Sequence, residues 1–126
     1  MRYLLDSTLL IDHANRDAPA AALLARLHGE PAELYTCDVV TCEVLSQGDA
    51  DHLHHLRVLL AALEYVSTSP DAARRAAEAR RLRRQAGGKL GLGDALIAAV
   101  AADLGATIVT RNRPDFARQG INVLTY

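Results

Sequence analysis

Gly91–Thr110, GLGDALIAAVAADLGATIVT, is the stretch that decides the fold. Gly93-Asp94 opens a helix, the run Ala95 to Ala102 is unbroken apolar sequence, and Gly105 stops it. Thr107-Ile108-Val109-Thr110 follows and is the most strand-like segment of the chain, rich in β-branched residues. Upstream, Tyr3-Leu4-Leu5 reads as a short buried strand ended by Asp6-Ser7, either of which suits the cap of a helical turn through about His13 with Leu9 and Leu10 inward. Helices are expected over 18–28, ended by Gly29, over VVTCEVL after a cap at Asp38, from about Asp49 to Leu63, and from Ser69-Pro70-Asp71 to about Ala86. Leu34–Thr36, Tyr65-Val66 and an edge strand at Val123-Leu124 complete the pattern. Strands alternating with helices predict an α/β domain: a short, mostly parallel sheet of four or five strands with helices on both faces.

Composition narrows the class further. The 126 residues fit one domain, residues 1–126, able to bury about 65% of its unfolded surface without staples. Alanine and leucine supply 43 residues and aromatics only five, which favours closely packed helices over an all-β sandwich. The net charge of −1 excludes a globally basic nucleic-acid binder but leaves room for local patches, because thirteen of the fourteen cations are arginine. An eight-residue apolar run is far short of a membrane span, and MRYLLDSTLLID carries two acids and no small-residue cleavage site. Cys37 and Cys42 lie about 140° apart around a helix, which suits reduced thiols in a cytoplasmic protein better than a redox or zinc pair.

The acids carry the chemistry. In open parallel α/β sheets, ligands bind outside the carboxyl ends of the strands. Asp6 lies at the end of the first strand, Glu43 in the apolar helix after the second, Asp94 in the first turn of the helix at 93–104, and Asp115 beyond Thr110 in TRNRPDF. Asp6 and Asp94 taken singly also read as helix caps and Asp115 as a loop acid; Asp12, Asp38 and Asp103 read as caps or solvated faces. Together, four converging carboxylates repel one another and prefer to protonate in low dielectric. A divalent cation resolves that conflict, and hard oxygen ligands select Mg²⁺ or Mn²⁺ over Zn²⁺.

The order LLDSTLLID, VVTCEVL and GLGDALIAAVAADLGATIVTRNRPDF resembles the PIN-domain nucleases, and among them the VapC-like ribonuclease toxins, over essentially the whole chain from Tyr3 to Leu124. The resemblance implies a PIN-like three-layer fold and a catalytic, metal-binding set of Asp6, Glu43, Asp94 and Asp115. It implies metal-dependent hydrolysis of an RNA phosphodiester, with Ser7 or Thr110 bonding the ligating carboxylates or the phosphate, and Asn112 in place of a family Asp. It also implies a small antitoxin partner, one of whose arginines would replace the metal's charge in the acidic pocket.

Arg111 and Arg113, beside the fourth acid, are candidates for touching substrate. Arg80, Arg81 and Arg84 share a face with Arg74 on the 70–86 helix, opposite Ala72, Ala76, Ala79 and Ala86. That face is either solvated or a track for the RNA backbone. The leucines of the 49–63 helix suit a homodimer, a partner groove or plain core. His52 and His55 are spaced i, i+3 but lack an evident third metal ligand. A phosphotransfer receiver needs paired acids after the first strand, and an aspartate-nucleophile phosphatase an acid at position 8, where Thr8 stands. The alternative left is a PIN-type module that binds RNA or antitoxin without chemistry.

Overall fold

A computed structural model describes all 126 residues, Met1–Tyr126. The elements run β1 (Arg2–Leu5), α1 (Ser7–Ala14), α2 (Ala18–His28), β2 (Glu33–Cys37), α3 (Asp38–Leu45), α4 (Ala50–Ala61), β3 (Glu64–Val66), α5 (Pro70–Gln85), α6 (Leu92–Leu104), β4 (Thr107–Val109), α7 (Arg113–Ala117) and β5 (Val123–Leu124). Every expected strand and long helix is present. The short helix α7 departs from expectation, because Arg113-Pro114-Asp115 reads as a loop; Pro114 in its first turn supplies the fixed φ that starts it.

The sheet is wholly parallel in the order β3-β2-β1-β4-β5. The chain steps outward from β1 to β3, crosses back over β1, and steps outward again on the other side. Right-handed crossovers therefore place α1–α4 on one face and α5–α7 on the other. Strand order reverses between β1 and β4, and a crevice opens beyond their carboxyl ends. Asp6 and Thr110 are the first residues beyond those two ends.

The main core sets Leu4, Leu5, Ile108 and Val109 of the central strands between Leu9, Leu10, Val40 and Val44 on one side and Ile97 and Val100 on the other. A second cluster is almost all alanine: Ala72 and Ala76 of α5 meet Ala95 and Ala99 of α6, with Leu90 beside them. Small side chains let these two helices approach closely, the use that the alanine-rich composition foretold. Ala86, which helical spacing puts on the same face, is exposed because α5 ends at Gln85 and Gly87 turns the chain with φ +84°. Gly105, at φ 62°, caps α6 in the left-handed conformation that glycine adopts without a Cβ penalty.

Two expected caps differ. Asp6 has the backbone of an N-cap, but its side chain makes no capping bond because it is drawn across the sheet. Asp38 lies inside α3, whose cap is Cys37, and its carboxylate accepts from Thr68 N and Oγ1, tying the end of β3 to the start of α3. No helix is long and apolar enough to cross a membrane. Ala76→Leu puts extra methyl groups into the α5–α6 contact and should cost about 1–3 kcal/mol in denaturant melts. The same change at exposed Ala77 should be close to neutral.

Candidate active site

Asp6 is the centre of the site. It is 3% exposed, and its backbone N–H bonds Val109 O at 3.0 Å, which joins β1 to β4 one residue beyond the last ladder pair. Thr110 Oγ1 donates to Asp6 Oδ2 at 2.7 Å, and Thr8 Oγ1 reaches the same oxygen at 3.3 Å. Each threonine also accepts from the turn after β4: Thr110 Oγ1 takes Asn112 N–H at 2.9 Å, and Thr8 Oγ1 takes Arg111 N–H at 3.2 Å. The two hydroxyls therefore fix the Asp6 carboxylate and the 110–112 turn in one network.

Glu43, on the second turn of α3, has a buried Oε1 with no hydrogen-bond partner. Its other oxygen packs against Gly93, where an added Cβ would stand 2.9 Å from Oε2. The missing Cβ at Gly93 thus leaves Glu43 Oε2 its place beside the start of α6. Asp94 lies in the first turn of α6 and Asp115 in the first turn of α7. Asp115 Oδ2 accepts from Asn112 Nδ2 at 2.7 Å, and Gln119 Nε2 donates to Asp115 O at 2.8 Å.

The acids sense one another. Burial, then the charges of Asp6 and Asp115 and a hydrogen bond that the protonated Asp94 gives to Asp115, push Asp94 up to about 6. The first-turn position on α6 favours a charged carboxylate, so desolvation and the neighbouring acids outweigh the helix dipole here. Burial also raises Glu43, with Asp6 and Asp94 adding to the effect. Asp6 is raised by burial alone, against the lowering pull of Thr110, Ser7 and Thr8. No three carboxylates close into a ready-made coordination cluster. An orphaned buried oxygen, mutually destabilised carboxylates and an all-oxygen donor set nevertheless fit a hard divalent cation.

Asp6, Glu43, Asp94 and Asp115 are thus brought into one electrostatically coupled group. Ser7 faces Asp6 and Glu43, Thr110 is fully buried, and Asn112 is spent on Asp115. Arg113 is exposed at the start of α7. On α5 the arginines separate: Arg80 Nε binds Leu90 O at 3.1 Å, Arg81 pairs with Glu78 at 2.7 Å, and Arg84 is exposed. Asp12, read as a cap or solvated acid, is instead 8% exposed; it accepts from Tyr126 Oη at 2.6 Å and pairs with Arg111 at 3.0 Å. Thr8, Gly93 and Gln119 also escape a reading of the sequence. Only Thr8 carries a signal there, two residues beyond Asp6 and one helical turn before Asp12.

The histidines do gain a neighbour. His13 Nδ1 of α1 lies 2.9 Å from His55 Nε2, but no trio of metal-binding side chains forms there. Cys37 is buried and Cys42 exposed, and both are free.

Fold and site define a class: a three-layer parallel α/β domain with an acidic group at the reversal of strand order. The chain belongs to the PIN-domain family, whose family model, described as "PIN domain", matches residues 3–121. Among solved structures, its fold is similar to a chain of VapBC2 from Rickettsia felis bound to a DNA fragment from its promoter. That match has a TM-score of 0.85 at 23% identity and covers 100% of this chain and 99% of the other. A chain of a toxin–antitoxin complex from Klebsiella pneumoniae is similar at TM-score 0.76 and 28% identity, covering 98% and 96%. VapC20 from Mycobacterium tuberculosis, a sarcin–ricin loop cleaving toxin, is similar at TM-score 0.71 and 21% identity, covering 94% and 95%. No curated protein shows significant sequence similarity to the chain.

A carboxylate whose pKa is raised by folding contributes stability below its unfolded value and loses it as pH rises through the folded value. For Asp94 that loss falls between about 4 and about 6. In chelator, Asp94→Asn should therefore raise Tm by a few degrees near pH 7.5 and have little effect near pH 4, as read by thermal melts across pH.

Proposed function

We propose that this chain is a divalent-metal-dependent endoribonuclease that hydrolyses RNA phosphodiester bonds, and that it is the toxin of a toxin–antitoxin pair. The observation that carries the reading is the partnerless, buried Glu43 Oε1 in a group of acids whose charges raise the pKa of Glu43 and Asp94. Such a group is costly unless a cation offsets it. Membership of the PIN family supports the chemistry. The similar folds in toxin–antitoxin complexes and in a toxin that cleaves the sarcin–ricin loop support the biological role.

Asp6, Glu43, Asp94 and Asp115 would hold Mg²⁺ or Mn²⁺, which when bound lowers the pKa of water and offsets charge on a phosphate. The chain's own residues prepare the site. Thr8 and Thr110 hold Asp6 Oδ2 so that the carboxylate does not rotate away. Asn112 and Gln119 hold the side chain and carbonyl of Asp115, and Gly93 leaves room for Glu43. Beside a divalent cation, the raised carboxylates of Glu43 and Asp94 would return to their charged forms. A small antitoxin is the expected partner, its arginine entering the same pocket in place of the cation. A homodimer is the expected assembly, and the two free thiols fit a reducing cytoplasm.

The test is cleavage of total RNA with mapped cut sites, with and without Mg²⁺. Asp6→Asn and Asp94→Asn should each lower the Mg²⁺-dependent rate at least about 100-fold with unchanged circular dichroism. Full-rate cleavage in chelator, or in both variants, would refute the assignment; binding of RNA without cleavage would leave the non-catalytic module. On α5, Arg80 also holds the 87–91 loop through Leu90 O, so the cleaner variant replaces Arg81 and Arg84 by Gln. RNA affinity should then fall and its salt dependence flatten by about 0.7 for each phosphate no longer neutralised. An unchanged slope removes α5 from the RNA path.

A further inference from the structure

We propose that Asp12 and Tyr126 are positioning residues that aim the Arg111 guanidinium at an RNA phosphate beside Asp6. The inference rests on the ribonuclease reading and deepens it. Arg111 is held twice by one face of α1. Its backbone N–H donates to Thr8 Oγ1 at 3.2 Å, and its Nη1 reaches both oxygens of Asp12, at 3.0 and 3.2 Å. Thr8 and Asp12 are four residues apart, so they stack on the same side of the helix, about 6 Å apart along its axis. Thr8 also contacts Asp6 Oδ2, which places the whole grip next to the acidic group.

The charges are distributed in a way that a purely structural ion pair does not need. Asp12 is almost fully buried, and its side chain is 11% exposed, whereas that of Arg111 is 62% exposed. A buried carboxylate needs its lone pairs satisfied; Tyr126 Oη, donating at 2.6 Å, and Arg111 supply that. Burial and this bond to Asp12 push the Tyr126 phenol well above its ordinary range, so it stays a donor. Arg111 spends only Nη1 on Asp12. Its Nη2 and Nε remain for a ligand, in the fork that suits two phosphate oxygens. A cation fixed at the rim of an acidic pocket also draws a polyanion toward a site that would otherwise repel it.

A short single-stranded RNA oligonucleotide tests this, with steady-state cleavage in Mg²⁺ and binding across a salt series in chelator. Arg111→Gln should raise KM about tenfold with kcat within about twofold, and lower the salt slope of binding by about 0.7. Asp12→Asn and Tyr126→Phe should each raise KM severalfold. In the Arg111→Gln background both should lose that effect, the non-additivity expected of residues that act through one another. A merely structural role predicts the reverse: Tm falls in Asp12→Asn and Tyr126→Phe while KM and salt slope stay at wild-type values, or the KM effects persist undiminished without Arg111. Either result overturns the proposal and leaves the ribonuclease reading intact. If the unaltered protein neither cleaves nor binds the RNA, the ribonuclease reading fails and the positioning role falls with it.

Discussion

One buried hydrogen bond organises the functional end of this molecule: Thr110 Oγ1 to Asp6 Oδ2, 2.7 Å long, between residues 104 apart in sequence. It spans the point where the strand order reverses, and each partner is the first residue past its strand. Asp6 carries an unfavourable load there, because burial opposes its charge. The threonine hydroxyls offset part of that cost and at the same time hold the turn at 110–112 through its backbone donors. Satisfying one carboxylate and shaping one loop are thus the same interaction. The positions of Arg111, Asn112 and, through Asn112, Asp115 follow from it.

Around that anchor the protein keeps charge under tension. Four carboxylates, at the end of β1 and on α3, α6 and α7, lie close enough that their charges raise Glu43 and Asp94, yet they do not collapse into a closed cluster. Alanine packing makes such an arrangement mechanically possible. The small residues joining α5 to α6 seat α6 firmly, and Gly93 at its start removes the Cβ that would press on Glu43. Stability sacrificed to carboxylate repulsion is offset by an apolar core that needs no polar group for its packing. The net charge of −1 conceals this acidic pocket, because arginines elsewhere, several paired with acids outside it, balance its charge.

Much of this was legible in the residues. Apolar runs punctuated by Gly105, Gly29 and Pro70 located the helices, because breakers and caps act locally. Asp6, Glu43, Asp94 and Asp115 stood out as a set: three of them singly read as caps or a loop acid, but Glu43 in an apolar helix does not, and all four fall where a parallel sheet puts its ligands. Asp12 misled for the opposite reason. An acid in mid-helix is ordinarily solvated, and its burial depends on Arg111 and Tyr126, which lie 99 and 114 residues away. Arg80 shows the same limit of local reading: helical spacing puts it on a shared arginine face, and its Nε bond to Leu90 O is visible only in the fold.

The sequence by itself determined where the strands and long helices fall, that the strands run parallel, and which acids are candidates for the chemistry, because periodicity, capping and charge in apolar surroundings are local properties. Only the tertiary structure decided which oxygen of Asp6 is held, that Gly93 yields space to Glu43, and that Asp12 grips Arg111. Those contacts join segments with no sequence relation to one another, and their energies depend on burial and distance, which exist only once the sheet has brought β1 beside β4.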